Sequence, residues 1–149
     1  MEKKTAQPNE QLGYLLTQVS FLKQRITNAA LKELDITYIQ FVILAGTLEL
    51  GSENEFVTQQ DISTQRRLDK AMVSNVVKTL IDKGLMARSV HPIDKRAYTL
   101  SLTDAGKEFA IRGKEIALKI DETFFDKINK GAFTKTLLKL LENEGGINE

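Results

Sequence analysis

A mainly α-helical chain carrying one small β-hairpin is the fold class that this sequence predicts. Three observations carry that expectation. Apolar residues recur at three- and four-residue steps through most of the 149 residues. Two of these periodic runs are separated by only about three residues, the spacing of a helix-turn-helix. Only "LMARSV" and "AYTLSL" read as strands, and they bracket a polar stretch that contains a proline.

In chain order, "QLGYLLTQVSFLKQRITNAALKEL" places Leu12, Leu15, Leu16, Val19, Leu22 and Ile26 on one face of a first helix. Thr37 and Gln40 form a capping box for a second helix through "FVILAGTLEL". That helix is expected to stop near Gly51, because a left-handed cap costs glycine little. "GSENEF" reads as a loop. "VTQQDISTQRR" follows as a short third helix with Thr58 as N-cap. The fourth helix, "LDKAMVSNVVKTLIDKGL", has Asp69 as N-cap and Gly84 as its stop. In the hairpin, Tyr98, Leu100 and Leu102 alternate with Ala97, Thr99 and Ser101, the period of a half-buried strand. Thr103 caps a long helix predicted to reach about Lys130, with Ile116, Ile120, Phe124 and Ile128 on one face and Gly131 breaking it. "AFTKTLLKLLENE" is the last helix, and Gly145-Gly146 reads as a frayed terminus. A helix-turn-helix followed by a hairpin is a winged helix. Residues 34–103 are therefore expected to form a winged helix-turn-helix lobe, and 9–33 with 104–146 a helical lobe.

Composition narrows the function classes. With 42% apolar and 28% charged residues, the chain reads as a globular domain. No stretch approaches the ~20 apolar residues of a membrane span, and "MEKKTAQPNEQ" lacks a signal-peptide apolar region. A cytoplasmic protein without a membrane partner is the expectation. The absence of cysteine removes disulfides, thiolate metal sites and thiol redox switching. No metal-spaced His/Asp/Glu set, phosphate-binding loop or dinucleotide fingerprint occurs, so neither an enzyme nor a cofactor is expected. The single histidine, His91, stands beside Pro92 and reads as part of a turn. The net charge of +1 conceals an asymmetry: Arg66–Arg96 holds eight Lys/Arg against three Asp, a surplus of five. A local surplus of that sign suits a polyanionic partner.

The fourth helix has two faces. Val73, Val76, Val77, Leu80 and Ile81 follow core spacing, whereas Ala71, Ser74, Asn75 and Lys78 point outward as a small, polar strip. Such a strip, second in a tight helix pair, can lie against base edges in a major groove. Asn pairs bidentately with adenine, Ser bonds to most bases, and Lys reaches guanine or phosphate. Thr58, Gln59 and Gln60 at a helix N-terminus, Arg66 and Arg67 in the turn, and Lys70 are candidate phosphate contacts. Lys95 and Arg96 at the hairpin tip are placed to probe a minor groove, with Asp94 steadying Arg96. A solvated helix face, and a winged helix that binds a protein partner without DNA, are the alternatives.

These segments resemble the MarR family of bacterial transcription regulators. "LDITYIQFVIL" is similar to the family's second helix, "VTQQDIS…LDKAMVSNVVKTLIDKGLMAR" to its helix-turn-helix, and "DKRAYTLSLTDAGKE" to its wing. The resemblance implies that Arg96 enters the minor groove with Asp94 as its brace. Asn75 stands where the family commonly has arginine, which makes adenine a candidate base. Arg66 replaces an apolar residue and Arg67 a frequent glycine. The resemblance also implies a homodimer held by terminal helices, a pseudo-palindromic double-stranded DNA site, a repressor role and a small aromatic or phenolic effector. No motif assigns effector residues, and Tyr14, Phe21 and Phe41 are expected in the core.

Overall fold

Helix α1 (Pro8–Leu31) opens the structure, a computed structural model that describes residues 8–145. Gly146, the last residue of the expected helical lobe and half of the expected frayed pair, lies outside the described residues. A short 3-10 turn, Lys32–Leu34, ends in Asp35 with φ 54°, and the chain then enters α2 (Tyr38–Glu53). The Thr37–Gln40 capping box is formed. The Gln40 N–H donates to Thr37 Oγ1 at 3.2 Å, and the Thr37 N–H donates to Gln40 Oε1 at 3.0 Å. The Tyr38 N–H also donates to Asn28 Oδ1 at 2.6 Å, tying α2 to α1.

Helix α2 is apolar on nearly every side, and such a helix belongs in a core. Ile43 and Leu44 are fully buried within it, beside Ile62, Val73, Val77 and Leu80 from the next two helices. Each such side chain contributes roughly 1.5–3 kcal/mol through burial. Gly51 does not end α2. The helix continues to Glu53, and Asn54 closes it from an extended conformation by donating from Nδ2 to Leu50 O at 3.0 Å. A side-chain cap at Asn54 replaces the glycine cap that the sequence suggested.

Helices α3 (Gln59–Arg66) and α4 (Lys70–Asp82) form the helix-turn-helix. Strands β1 (Met86–Val90) and β2 (Tyr98–Leu102) pair antiparallel, with Met86 opposite Leu102 and Val90 opposite Tyr98. A lone two-stranded hairpin is marginal in water. Here Met86 and Leu100 are buried in the core, and the Leu100 N–H donates to Val57 O at 2.7 Å. At the hairpin base Thr103 Oγ1 donates to Gly84 O at 2.7 Å and accepts from the Gly106 N–H at 3.1 Å.

Helix α5 (Asp104–Phe124) leaves the hairpin. It approaches Leu85, just ahead of β1, so closely that a Cβ on Gly106 would stand 1.9 Å from Leu85 O. It ends at Phe124, not near Lys130 as its apolar spacing suggested. The Asn129 side chain accepts from the Ala132 N–H at 3.0 Å and starts α6 (Lys130–Leu141). Gly131 therefore sits in the first turn of α6 and breaks nothing. Ile128 lies in the connection, outside the α5 stripe.

The chain divides into two compact units, one ending at Ala117 and one beginning at Leu118. The first unit contains the core and the hairpin. Along α1 in this unit, Leu12, Leu15, Leu16, Val19, Leu22 and Ile26 are exposed. Tyr14 and Phe21 are exposed as well, at 64% and 63%; only Phe41 of the three expected core aromatics is buried. The second unit stacks Phe125 between Phe124 and Phe133 at 5.0 and 5.8 Å and leaves Leu138, Leu140 and Leu141 exposed.

Candidate nucleic-acid interface

The turn between α3 and α4 is held by its own backbone and one hydroxyl. Arg67 takes the left-handed conformation, φ 52° and ψ 47°, and its N–H donates back to Ser63 O and Thr64 O. Ser63 Oγ donates to Leu68 O at 2.6 Å, and the Leu68 N–H donates to Ser63 O at 3.0 Å. The conformation at residue 67 is the one glycine adopts most cheaply. Asp69 then caps α4 by accepting from the Met72 N–H at 3.1 Å.

Helix α4 separates its two faces as its spacing requires. Val73, Val77 and Leu80 are buried and Val76 and Ile81 half-buried, whereas Ala71, Ser74, Asn75 and Lys78 are exposed. The outward strip is therefore free of core duties. Its small residues occupy the N-terminal half, where close approach to a partner is least obstructed.

At the start of α3 the Thr58 hydroxyl accepts from the Asp61 N–H at 3.2 Å, and the Asp61 carboxylate accepts from the Thr58 N–H at 2.9 Å. This second capping box was legible as Thr-x-x-Asp. It occupies the Thr58 side chain and puts a carboxylate in the first turn. Gln59 is half-buried, and Gln60 is exposed, its Nε2 3.1 Å from Thr64 Oγ1.

The cations of the basic segment sort into distinct environments. The Arg66 side chain is only 26% exposed, and its guanidinium lies 3.0 Å from the Glu49 carboxylate on α2. Lys83 Nζ donates to the Asp35 carbonyl and lies 3.5 Å from Gln40 Oε1. Arg88 stacks over the Tyr98 ring at 4.7 Å. Lys70, Lys78 and Lys95 are exposed. Arg66 and Lys83 thus bind their own chain, and neither pairing was legible from local spacing.

The wing tip is ordered from within. Asp94 Oδ1 accepts from the Arg96 N–H at 3.1 Å and lies 3.5 Å from Arg96 Nε, while the Arg96 side chain remains 94% exposed. His91 Nδ1 accepts from the N–H groups of both Ile93 and Asp94 at 3.1 Å. The imidazole rests on Phe56 with ring centroids 5.0 Å apart. His91 does lie in a turn, but it also organises that turn. The cue in the sequence was its spacing two and three residues before the amides it accepts from, as in an Asx turn.

Among the described residues no group of three or more His, Cys, Asp or Glu could hold a metal ion, and no single helix is long and apolar enough to cross a membrane.

Comparison with known proteins gives concordant results. The MarR family model matches residues 36–98, from two residues ahead of α2 to the first residue of β2. A Bacillus subtilis protein described as an uncharacterized HTH-type transcriptional regulator, YdcH, is 39% identical over 138 residues, 92% of this chain and 94% of that protein. Among solved structures, a Staphylococcus aureus MepR–DNA complex aligns with a TM-score of 0.77 and 21% identity, covering 91% of this chain and 95% of that one. Bordetella bronchiseptica BpsR, whose DNA binding is described as regulated by 6-hydroxynicotinic acid, aligns with a TM-score of 0.75 and 24% identity over 91% and 98% of the two chains.

Proposed function

The chain belongs to the MarR family of transcriptional regulators, and from that premise we propose that it is a cytoplasmic homodimeric repressor of a pseudo-palindromic operator. The observation that carries the reading is the α4 strip of Ala71, Ser74, Asn75 and Lys78, exposed in the same unit as an exposed, braced Arg96. In this reading α4 lies in the major groove, where Ser74, Asn75 and Lys78 contact base edges and Ala71 allows close approach. Asn75 takes adenine. Arg96 enters the adjacent minor groove, with Asp94 holding it and Lys95 on a phosphate.

Lys70 and Arg67 add phosphate contacts, as do Gln59 and Gln60 near the α3 N-terminus, where backbone donors favour an anion. Thr58 serves mainly by capping that helix, and Arg66 by bracing α2 through Glu49. The exposed apolar stripe of α1 and that of α6 each require a cover, and a second copy of the chain supplies it in this reading. Release by a small aromatic or phenolic effector is supported by the BpsR likeness.

Selection of bound sequences from a random DNA library tests the whole reading, alongside sedimentation of the protein alone. The expected result is a dimer that enriches two half-sites about one helical turn apart. No enrichment, or a monomer that binds a single half-site, overturns it.

A further inference from the structure

We propose that His91 is a positioning residue for DNA binding: its Nδ1 sets the conformation of the wing tip, so that engagement of the wing depends on pH. This rests on the reading of the tip as a DNA contact. Two backbone N–H groups, of Ile93 and Asp94, point at Nδ1 from 3.1 Å. A backbone amide can only donate, so the ring nitrogen facing it must present a lone pair, and the ring proton must sit on Nε2.

The contacts are nested. His91 holds the Asp94 backbone, and Asp94 Oδ1 holds the backbone N–H and guanidinium of Arg96. The turn is closed around them by the His91 N–H on Ala97 O at 3.1 Å and the Ala97 N–H on Asp94 O at 3.0 Å. Phe56, ahead of α3, supports the ring from outside the hairpin. The charged groups on the two segments packed against the imidazole are Glu55, next to Phe56, and Asp94, Lys95 and Arg96 of the tip; Arg88 on β1 is engaged with Tyr98.

Histidine commonly changes charge between pH 5 and 8. A proton on Nδ1 sets an N–H against two N–H groups, so both bonds are lost and the ring or the amides must turn away. The Asp94 backbone then keeps only the Ala97 N–H on its carbonyl, and the Asp94 side chain no longer sets the Arg96 orientation as firmly. The new positive charge alone would strengthen attraction to DNA. The direction of the pH effect therefore separates the positioning role from simple electrostatics. Asparagine at residue 91 can accept from the same amides as an Asx turn and does not titrate.

The test compares the full chain with His91→Asn and His91→Ala by fluorescence anisotropy on the selected operator at pH 8 and pH 5.5. Two lost hydrogen bonds predict that wild-type affinity falls about tenfold more than that of His91→Asn on acidification. His91→Asn should recover most of the affinity that His91→Ala loses at pH 8. Equal or tighter wild-type binding at pH 5.5, or the same pH profile in His91→Asn, overturns the proposal. If no DNA is bound at pH 8, the DNA reading fails, and nitrogen-15 NMR of the free protein decides the role of His91 separately. An Nε2–H tautomer, with Ile93 and Asp94 amide signals moving together with the ring on acidification, supports it. An Nδ1–H tautomer or unmoved amides refutes it.

Discussion

Arg66 and Glu49 meet 3.0 Å apart, across seventeen residues of sequence, and join the end of α3 to the C-terminal part of α2. A Cβ on Gly46 would come within 2.7 Å of Arg66 Nε, so the Arg66 side chain packs closely against that helix. Arg66→Ala is therefore expected to lower stability by about 1 kcal/mol, from lost stem packing and a partly exposed ion pair. The salt dependence of DNA affinity should stay as in the wild type. Denaturant midpoints and binding across a salt series measure both, and a slope that falls by ~0.9, the value of one phosphate contact, would return Arg66 to the DNA face.

Asp94 gives a test by sign. Removing a carboxylate beside a polyanion strengthens binding if charge alone matters. If Asp94 orients Arg96, Asp94→Ala weakens binding despite the charge gained. Arg96→Ala should weaken it further and reduce the salt slope by about one unit. Tighter binding by Asp94→Ala refutes the brace.

Asn75→Ala should relax base preference at one position of each half-site by ~1–3 kcal/mol and leave the others unchanged. Competition titrations with single-base operator variants measure this. Uniform weakening across all variants would remove Asn75 from base reading.

Gly106→Ala should cost more stability than Gly113→Ala. The added methyl at residue 106 would meet the Leu85 carbonyl at 1.9 Å, a backbone atom that cannot rotate away; at residue 113 it meets the Phe41 ring at 2.6 Å. Overpacking of this kind costs roughly 1–3 kcal/mol, with Gly106→Ala expected at the upper end or beyond. Thermal melts of the two variants should separate in that order.

Much of this architecture could be read from the sequence because its determinants are local. The caps at Thr37, Thr58 and Asp69 and the stop at Gly84 act within one helical turn, and the α4 faces follow from spacing alone. The end of α5 did not follow, because apolar spacing continued to Ile128 while Asn129 offered a stronger helix start. Tyr14 and Phe21 show a related limit: periodicity marks an apolar face without saying what covers it. At the site, the exposed strip and the Asp94–Arg96 contact were legible from short spacings. The pairings of Arg66 with Glu49 and of Lys83 with the Asp35 carbonyl are not legible from local spacing, because those partners come from distant segments.

The hydrogen bond from Leu100 to Val57, with Phe56 against His91, fastens the hairpin to the segment that leads into α3. The hairpin and the entry to the helix-turn-helix are thereby joined in one frame. If α4 and the wing engage neighbouring grooves as proposed, a template of that kind measures the offset between a major groove and the adjacent minor groove as a ruler would. Where a DNA sequence departs from that offset, the duplex must twist or narrow to fit, and stiff sequences are rejected even at base pairs that no side chain touches.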